Sequence, residues 1–402
     1  MGTHIDSIPS SGIIRIRDMM YAVADPYRLD QGDVSFDAPD TVKAGMRQAI
    51  DENRSHYAQT GGLPRLRELL ADKLRRKNGV PVGGPDEVFV TNGGVHGLYL
   101  AFQALLEPGD EVVVPDPQWP QTVGTIVAAH GVPVRCPLHE SLNWRLDVDE
   151  VASLITPRTR AIYLNSPHNP TGGVLTRQDI EALAGLARDR GLWLVSDEAY
   201  EDVMFEGEHV SPASLPGMYG RTISVFTFSK SYAMTGLRLG YLAVKDAALG
   251  DRVMKMLVFT TNNVNPVVQH GGIAGLEGSQ DVVGRYRQEL VARRDLFYAG
   301  IEALGGVFSG RPPAGAFYAF LAIDPTWRRR ASRPAPAAGD SSQPASLSWM
   351  LAEYLIRQGR IGCVPGADFG PRGEGFLRFC FARDRSELTG ALGAMTELFS
   401  GA

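Results

Sequence analysis

The sequence predicts an α/β protein, with a large domain on a mostly parallel sheet between helices and a smaller α+β domain built from both termini. Three observations carry this. Short apolar runs alternate with longer amphipathic stretches through the middle of the chain, the pattern of βαβ units. Several of those runs are continuously apolar, as strands covered on both faces should be. After Asn265 the texture changes to one long charged stretch, followed by mixed short strands and helices.

The elements follow in order. Glu87–Thr91 (EVFVT), Glu111–Pro115 (EVVVP), Pro133–Arg135, Thr159–Leu164 (TRAIYL), Trp193–Ser196 and Thr222–Phe226 (TISVF) read as strands. Helical patterns occupy Gly94–Leu106, Trp119–Ala129, Val148–Leu154 and Arg177–Arg190. Pro108-Gly109, Asn169-Pro170 and Gly172-Gly173 punctuate them. Gln280–Leu304 reads as a long helix leading out of the large domain, set at residues 38–304. Residues 1–37 and 305–402 make the small domain, with strands at Ala316–Leu321 and Phe376–Phe381 and helices at Leu347–Gln358 and Ser386–Phe399. Gly12–Asp37 folds back onto it. Thr326–Ser346, rich in Pro, Ala and Ser with a basic start, reads as a flexible surface insertion.

Composition narrows the function. At 402 residues the chain exceeds the roughly 250–300 residues at which a single core stops growing. Lys and Arg number 40 against 45 Asp and Glu, a net charge of −5 without the basic excess of a nucleic-acid binder. No apolar run approaches the ~18 residues of a membrane span. The start lacks the basic and apolar regions of a secretory signal. Three scattered cysteines (Cys136, Cys363, Cys380) form neither a disulfide framework nor a zinc site, and a cytoplasmic location is expected.

The chemistry-bearing residues cluster after the strands. Lys230, in TFSKSY, directly follows a buried strand; there a lysine either sits in a solvated turn or enters the ligand crevice of a parallel sheet. Arg238, eight positions on, can grip a phosphate or carboxylate with two prongs. Asp197, in SDEAY, ends another strand as a metal ligand, a helix cap or the partner of a cationic ring. Asn169, in NSPHNPTGG, follows a third, where turn chemistry alone accounts for the composition. Thr91-Asn92-Gly93-Gly94-Val95 joins a strand to a helix whose free N–H groups and dipole suit an anion. A phosphate cup, a carboxylate, an amide, a phenol, a lysine and an arginine at strand ends suit pyridoxal 5'-phosphate, which needs a lysine for its Schiff base and an acid for its ring nitrogen.

On these motifs, in this order from about Gly32 to Ala394, the chain resembles the class I/II aminotransferases of pyridoxal-phosphate fold type I. The resemblance implies a seven-stranded, mostly parallel sheet and a homodimer with shared active sites. It implies that Lys230 bonds the cofactor and then acts as the base, and that Asp197 holds the ring nitrogen protonated. Asn169 and Tyr200 match donors to the ring 3'-oxygen, and Trp119 (DPQWP) the aromatic stacked on the ring. Gly93, Gly94 and Val95 would offer backbone N–H groups to the phosphate, with Thr227, Ser229 and Arg238 completing the cup and Tyr57 reaching the neighbouring subunit's phosphate. Arg378 (GFLRFCF) matches the arginine gripping the substrate α-carboxylate, and Gly32 a glycine lining the substrate pocket; Asn169 also faces substrate.

Two departures bear on the substrate. The family's Gly-x-Pro is absent at Gly32, since position 34 is Val34. Where acidic-substrate relatives often carry a lysine after the Gly-Gly, this chain has Val95 followed by His96, so a neutral or bulky donor is expected rather than aspartate. His96 reads as packing or as a substrate reader. The leading activity is transfer of an amino group from an amino acid to a 2-oxo acid. The same site running elimination, side-chain cyclisation or oxidative deamination is the alternative, since these share Lys230 and Asp197. The effector domain of a DNA-binding regulator is disfavoured, because the residues before Gly32 carry no helix-turn-helix pattern.

Overall fold

The structure, a computed structural model, describes residues 4–8, 11–332 and 346–400. Seven strands form one sheet: β1 (Val88–Thr91), β2 (Glu111–Asp116), β3 (Val132–Pro137), β4 (Thr159–Asn165), β5 (Trp193–Asp197), β6 (Thr222–Thr227) and β7 (Gly240–Ala243). Their order is β1-β7-β6-β5-β4-β2-β3, and β7 runs antiparallel to both its neighbours. The other six therefore share one direction, and their C-terminal ends meet at one edge.

Both faces of the sheet are covered, and the strands show it residue by residue. In β2, Val112 and Val114 pack on one face and Val113 on the other; in β4, Ala161 and Tyr163 oppose Ile162 and Leu164. This is the two-residue period of a strand with apolar partners on each side. Helices Gly94–Leu105, Pro120–Ala128 and Ala247–Thr260 supply the first face. Arg177–Asp189 and Pro64–Arg76 supply the second, each with buried residues at three- and four-residue intervals.

A second, antiparallel sheet has the order β10-β11-β9-β8, from β8 (Phe308–Ser309), β9 (Tyr318–Ile323), β10 (Val364–Pro365) and β11 (Phe376–Cys380). It packs with helices Gly12–Tyr21, Asp281–Ala303, Leu347–Gly359 and Arg385–Phe399 around a separate core. The N-terminal segment does return to this sheet: Tyr27 bridges Ile361, and the Cys380 N–H donates to the Leu29 carbonyl at 2.7 Å.

Two readings shift. The strand expected from Ala316 begins at Tyr318, because Ala316 has a φ of 56°, outside the extended region. The start of the expected surface insertion is anchored: Trp327 is fully buried against Tyr354 and Phe399 within a 3-10 turn. Residues 333–345 of that segment lie outside the described residues.

Candidate active site

The shared strand edge gathers the predicted residues. After β1 the chain turns at Gly93 (φ 81°), whose N–H, expected to face a phosphate, instead donates to the Thr91 carbonyl at 2.8 Å; Gly94 and Val95 then open the helix Gly94–Leu105 with donors that have no intrahelical partner. A side chain at Gly93 would overlap the Arg238 guanidinium, whose Cζ would lie 2.9 Å from the added carbon. Arg238 is held there by its own left-handed backbone (φ 57°) and by an Nη1 bond to the Thr235 carbonyl at 2.7 Å. Thr227 ends β6 and caps the short helix Phe228–Ser231; its hydroxyl donates to Ser229 Oγ at 2.9 Å. The loop, the two hydroxyls and the guanidinium bound a cradle that only a glycine leaves open.

Lys230 sits on that short helix, and its Nζ donates to the Gly32 carbonyl at 2.6 Å. Burial, with Arg378 and Arg238 adding to it, holds the ammonium down to about 8, against the opposing charge of Asp33. Asp197 ends β5, buried. Its Oδ2 accepts from the Tyr163 hydroxyl at 2.9 Å and its Oδ1 from the Ala199 N–H at 3.2 Å. Burial pushes its carboxyl up to about 6, and Tyr163 and Lys230 work against that rise. The Tyr200 hydroxyl shares a 2.7 Å bond with Tyr318, and burial raises both phenols, so both stay protonated.

Arg378 lies mid-strand in β11, 2% exposed. Its Nη1 donates to Asn169 Oδ1 at 3.0 Å and its Nη2 to the Asp30 carbonyl at 2.8 Å. It lies over the rings of Tyr318 (4.5 Å) and Phe369 (5.0 Å). Its Nε has no partner, and among the described residues no carboxylate pairs with it. A buried cation without a counter-ion is costly unless a ligand supplies one. With Oδ1 occupied, the Asn169 amide nitrogen is left to donate elsewhere.

Gly32 packs closely: a side chain there would run into the Tyr318 hydroxyl. Trp119 precedes Pro120–Ala128, half-buried against the helical face of the sheet. Tyr57 stands apart from the other predicted residues, 89% exposed between two helices. His96 is packed rather than free: its Nδ1 accepts from the Asn92 N–H at 3.1 Å and its Nε2 meets Thr260 Oγ1 at 3.0 Å. Burial holds its ring neutral, down to about 4.

These residues fit pyridoxal phosphate. The cradle at Gly93 suits a phosphate, the buried Asp197 has no cation paired with it among the described residues and suits a ring nitrogen, and Lys230 offers an amine that burial brings close to neutrality. Sequence reasoning gave no role to Tyr163, Tyr318 or Asp30. Tyr163 reads simply as an apolar strand residue, and Tyr318 as core; their hydroxyl partners lie on other elements. The one available signal was a phenol placed two residues before the end of a strand in the same sheet as Asp197.

The sequence family described as aminotransferase class I and II matches residues 24–395. An aspartate aminotransferase of Pyrococcus abyssi is 32% identical over 401 residues, covering 99% of this chain and 98% of that protein. An aromatic-amino-acid aminotransferase of Thermococcus litoralis is 32% identical over 404 residues, covering 99% and 98%. The solved structure of Thermus thermophilus aspartate aminotransferase with maleate superposes with a TM-score of 0.88 at 32% identity, covering 99% of each chain.

Proposed function

The chain belongs to the class I and II aminotransferases, and from that premise we propose which of its residues do the work and which donors it takes. It is a pyridoxal-phosphate-dependent transaminase, acting between amino acids and 2-oxo acids. The observation that carries the residue assignment is the pairing of two cationic side chains on one short loop. Lys230 Nζ binds the Gly32 carbonyl and Arg378 Nη2 the Asp30 carbonyl, two residues apart. An α-amino acid bears its amine and carboxylate on one carbon, so its site needs an amine-handling group beside a carboxylate fork.

When bound, the cofactor supplies an aldehyde that exchanges amines and a protonated ring that draws electrons from the substrate's Cα. Arg378 grips the α-carboxylate, replacing its missing counter-ion and orienting the Cα–H toward Lys230. Lys230 would serve as the base for the Cα proton and could give it back, since an amine that burial holds down to about 8 has both its neutral and its charged form within reach. Asp197 would hold the ring nitrogen's proton, Tyr200 and the Asn169 amide would donate to the 3'-oxygen, and Trp119 would pack on the ring. Gly94, Val95, Thr227, Ser229 and Arg238 would hold the phosphate, Gly93 leaving room for it, and Gly32 would close the substrate side.

The preferred donor is neutral or bulky rather than aspartate. Val95 stands where a distal carboxylate would need a cation, and His96 is neutral and engaged with Asn92 and Thr260. Relatives of equal identity are named for aspartate and for aromatic amino acids, so overall likeness does not choose between them. The test is a single turnover of the holoenzyme with each amino acid and no oxo acid. Transamination stops at one equivalent of 2-oxo acid per site, fastest with a neutral or bulky donor. Continuous turnover with release of ammonia would instead mean elimination or oxidative deamination, and aspartate as the fastest donor would overturn the specificity.

A further inference from the structure

Behind Asp197 runs a line of fully buried polar side chains in an otherwise apolar layer. Tyr163 Oη donates to Asp197 Oδ2 at 2.9 Å, and the same oxygen is met by Thr122 Oγ1 at 3.2 Å and Gln118 Nε2 at 3.4 Å. Gln118 Oε1 faces His168 Nε2 at 3.0 Å, His168 Nδ1 faces Thr171 Oγ1 at 2.8 Å, and Thr171 Oγ1 accepts the Gly173 N–H at 3.2 Å. All five side chains are at most 5% exposed.

The two ends fix the direction of every hydrogen. An ionised carboxylate only accepts, so Tyr163 donates to it, and the Tyr163 lone pairs face the Thr122 hydroxyl and the Gln118 amide as donors. The Gln118 oxygen then requires a proton on His168 Nε2. A neutral ring accepts at Nδ1 from Thr171, whose own oxygen is met by a backbone N–H. Burial keeps that ring neutral, down to about 3, as the sequence of bonds demands. The other ionisable groups around Asp197 are Glu198 and Tyr200 beyond the end of its own strand and Lys230 on the helix Phe228–Ser231; Glu198 opposes ionisation and Lys230 favours it.

We propose that Tyr163 is a positioning residue for Asp197, and that Thr171, His168, Gln118 and Tyr163, with Thr122 as a second donor to Tyr163, form a one-way hydrogen-bond relay holding that carboxylate ionised and aimed at the cofactor's ring nitrogen. This rests on the assignment of Asp197 to the ring nitrogen. Aligned donors polarise one another, so the far members strengthen the last bond without touching the cofactor.

The experiment compares the parent chain with Tyr163→Phe, Thr122→Val and Asp197→Asn, each checked by thermal melting. The readouts are the dissociation constant of pyridoxal phosphate from the apo-protein across pH, and kcat against KM. In Tyr163→Phe the lost charge-assisted bond weakens cofactor affinity about tenfold and moves the acid limb of affinity up by about one pH unit. The cofactor's own phosphate titrates alike in every variant, so the difference reports Asp197. kcat falls while amino-acid KM holds, and Thr122→Val, nearly isosteric, moves the limb the same way by less. An unmoved acid limb in both folded variants, with Asp197→Asn impaired, overturns the relay alone. Asp197→Asn matching the parent overturns the Asp197 assignment on which the relay stands.

Discussion

Arg378 carries a full charge into a strand and, among the described residues, meets only neutral acceptors there, Asn169 Oδ1 and the Asp30 carbonyl, with its Nε unpartnered. That arrangement suits a ligand carboxylate arriving at a planar fork. Arg378→Lys keeps the charge and loses the fork, so KM for the amino acid should rise at least about tenfold with a smaller change in kcat, read by steady-state kinetics. Lys230 supports a pH prediction. Its burial-lowered value near 8 means the reactive neutral amine grows as pH rises through 8. Capture of cofactor by the apo-protein should therefore accelerate with pH, with a midpoint close to 8, and then level off in stopped-flow absorbance. At Val95 the prediction concerns selectivity. Val95→Lys places a cation beside the phosphate loop, and aspartate should gain about tenfold in kcat/KM relative to the best neutral donor.

At the level of elements, the sequence was legible wherever burial was two-sided. The six runs read as strands lie within two residues of β1 to β6; several of them are continuously apolar because helices cover both faces, whereas β3, a partly exposed edge strand, is not. β7 (Gly240–Ala243) went unread: it is four residues long and follows the Arg238 motif without a turn signal of its own. Its place shows why it opens with glycine. Gly240 pairs with Thr91 of β1 and Thr227 of β6, and a side chain there would come within 2.7 Å of the Gly93 backbone carbon and 2.9 Å of the Gly94 nitrogen. Both obstacles are backbone, so neither can swing aside. Gly240→Ala should push the phosphate loop out of place, costing about 1–3 kcal/mol of overpacking and reducing cofactor retention on dialysis. Much of the candidate site was legible for a related reason: Lys230, Asp197, Asn169 and the Gly93–Val95 loop sit in short motifs at or just after strand ends, although Arg378 lies mid-strand. Tyr163 and Tyr318 were not, because a phenol's role depends on which hydroxyl or carboxylate it meets across the fold.

At the scale of the whole molecule, the two sheets have separate cores, helix Asp281–Ala303 packing with the second, and the site lies where they meet: Arg378 on β11 bonds Asn169 beyond β4. One predicted residue is left facing outward. Tyr57 stands 89% exposed, and Ile50 and Phe259 are exposed large apolar side chains as well. Large apolar groups left in water are explained when another surface covers them. We propose that a second copy of the chain does so, with Tyr57 reaching its partner's phosphate, which makes each site a product of two chains. Subunit mixing tests this directly. Lys230→Ala and Tyr57→Ala homodimers each have two damaged sites, whereas the mixed dimer has one site with both defects and one with neither. Co-refolding the two variants should therefore restore activity above the sum of the separate preparations. About half the dimers should be mixed at equal input, each with one intact site, so recovery should approach a quarter of the parent's activity per site. Recovery no greater than that of the two variants assayed apart would place Tyr57 outside the shared site.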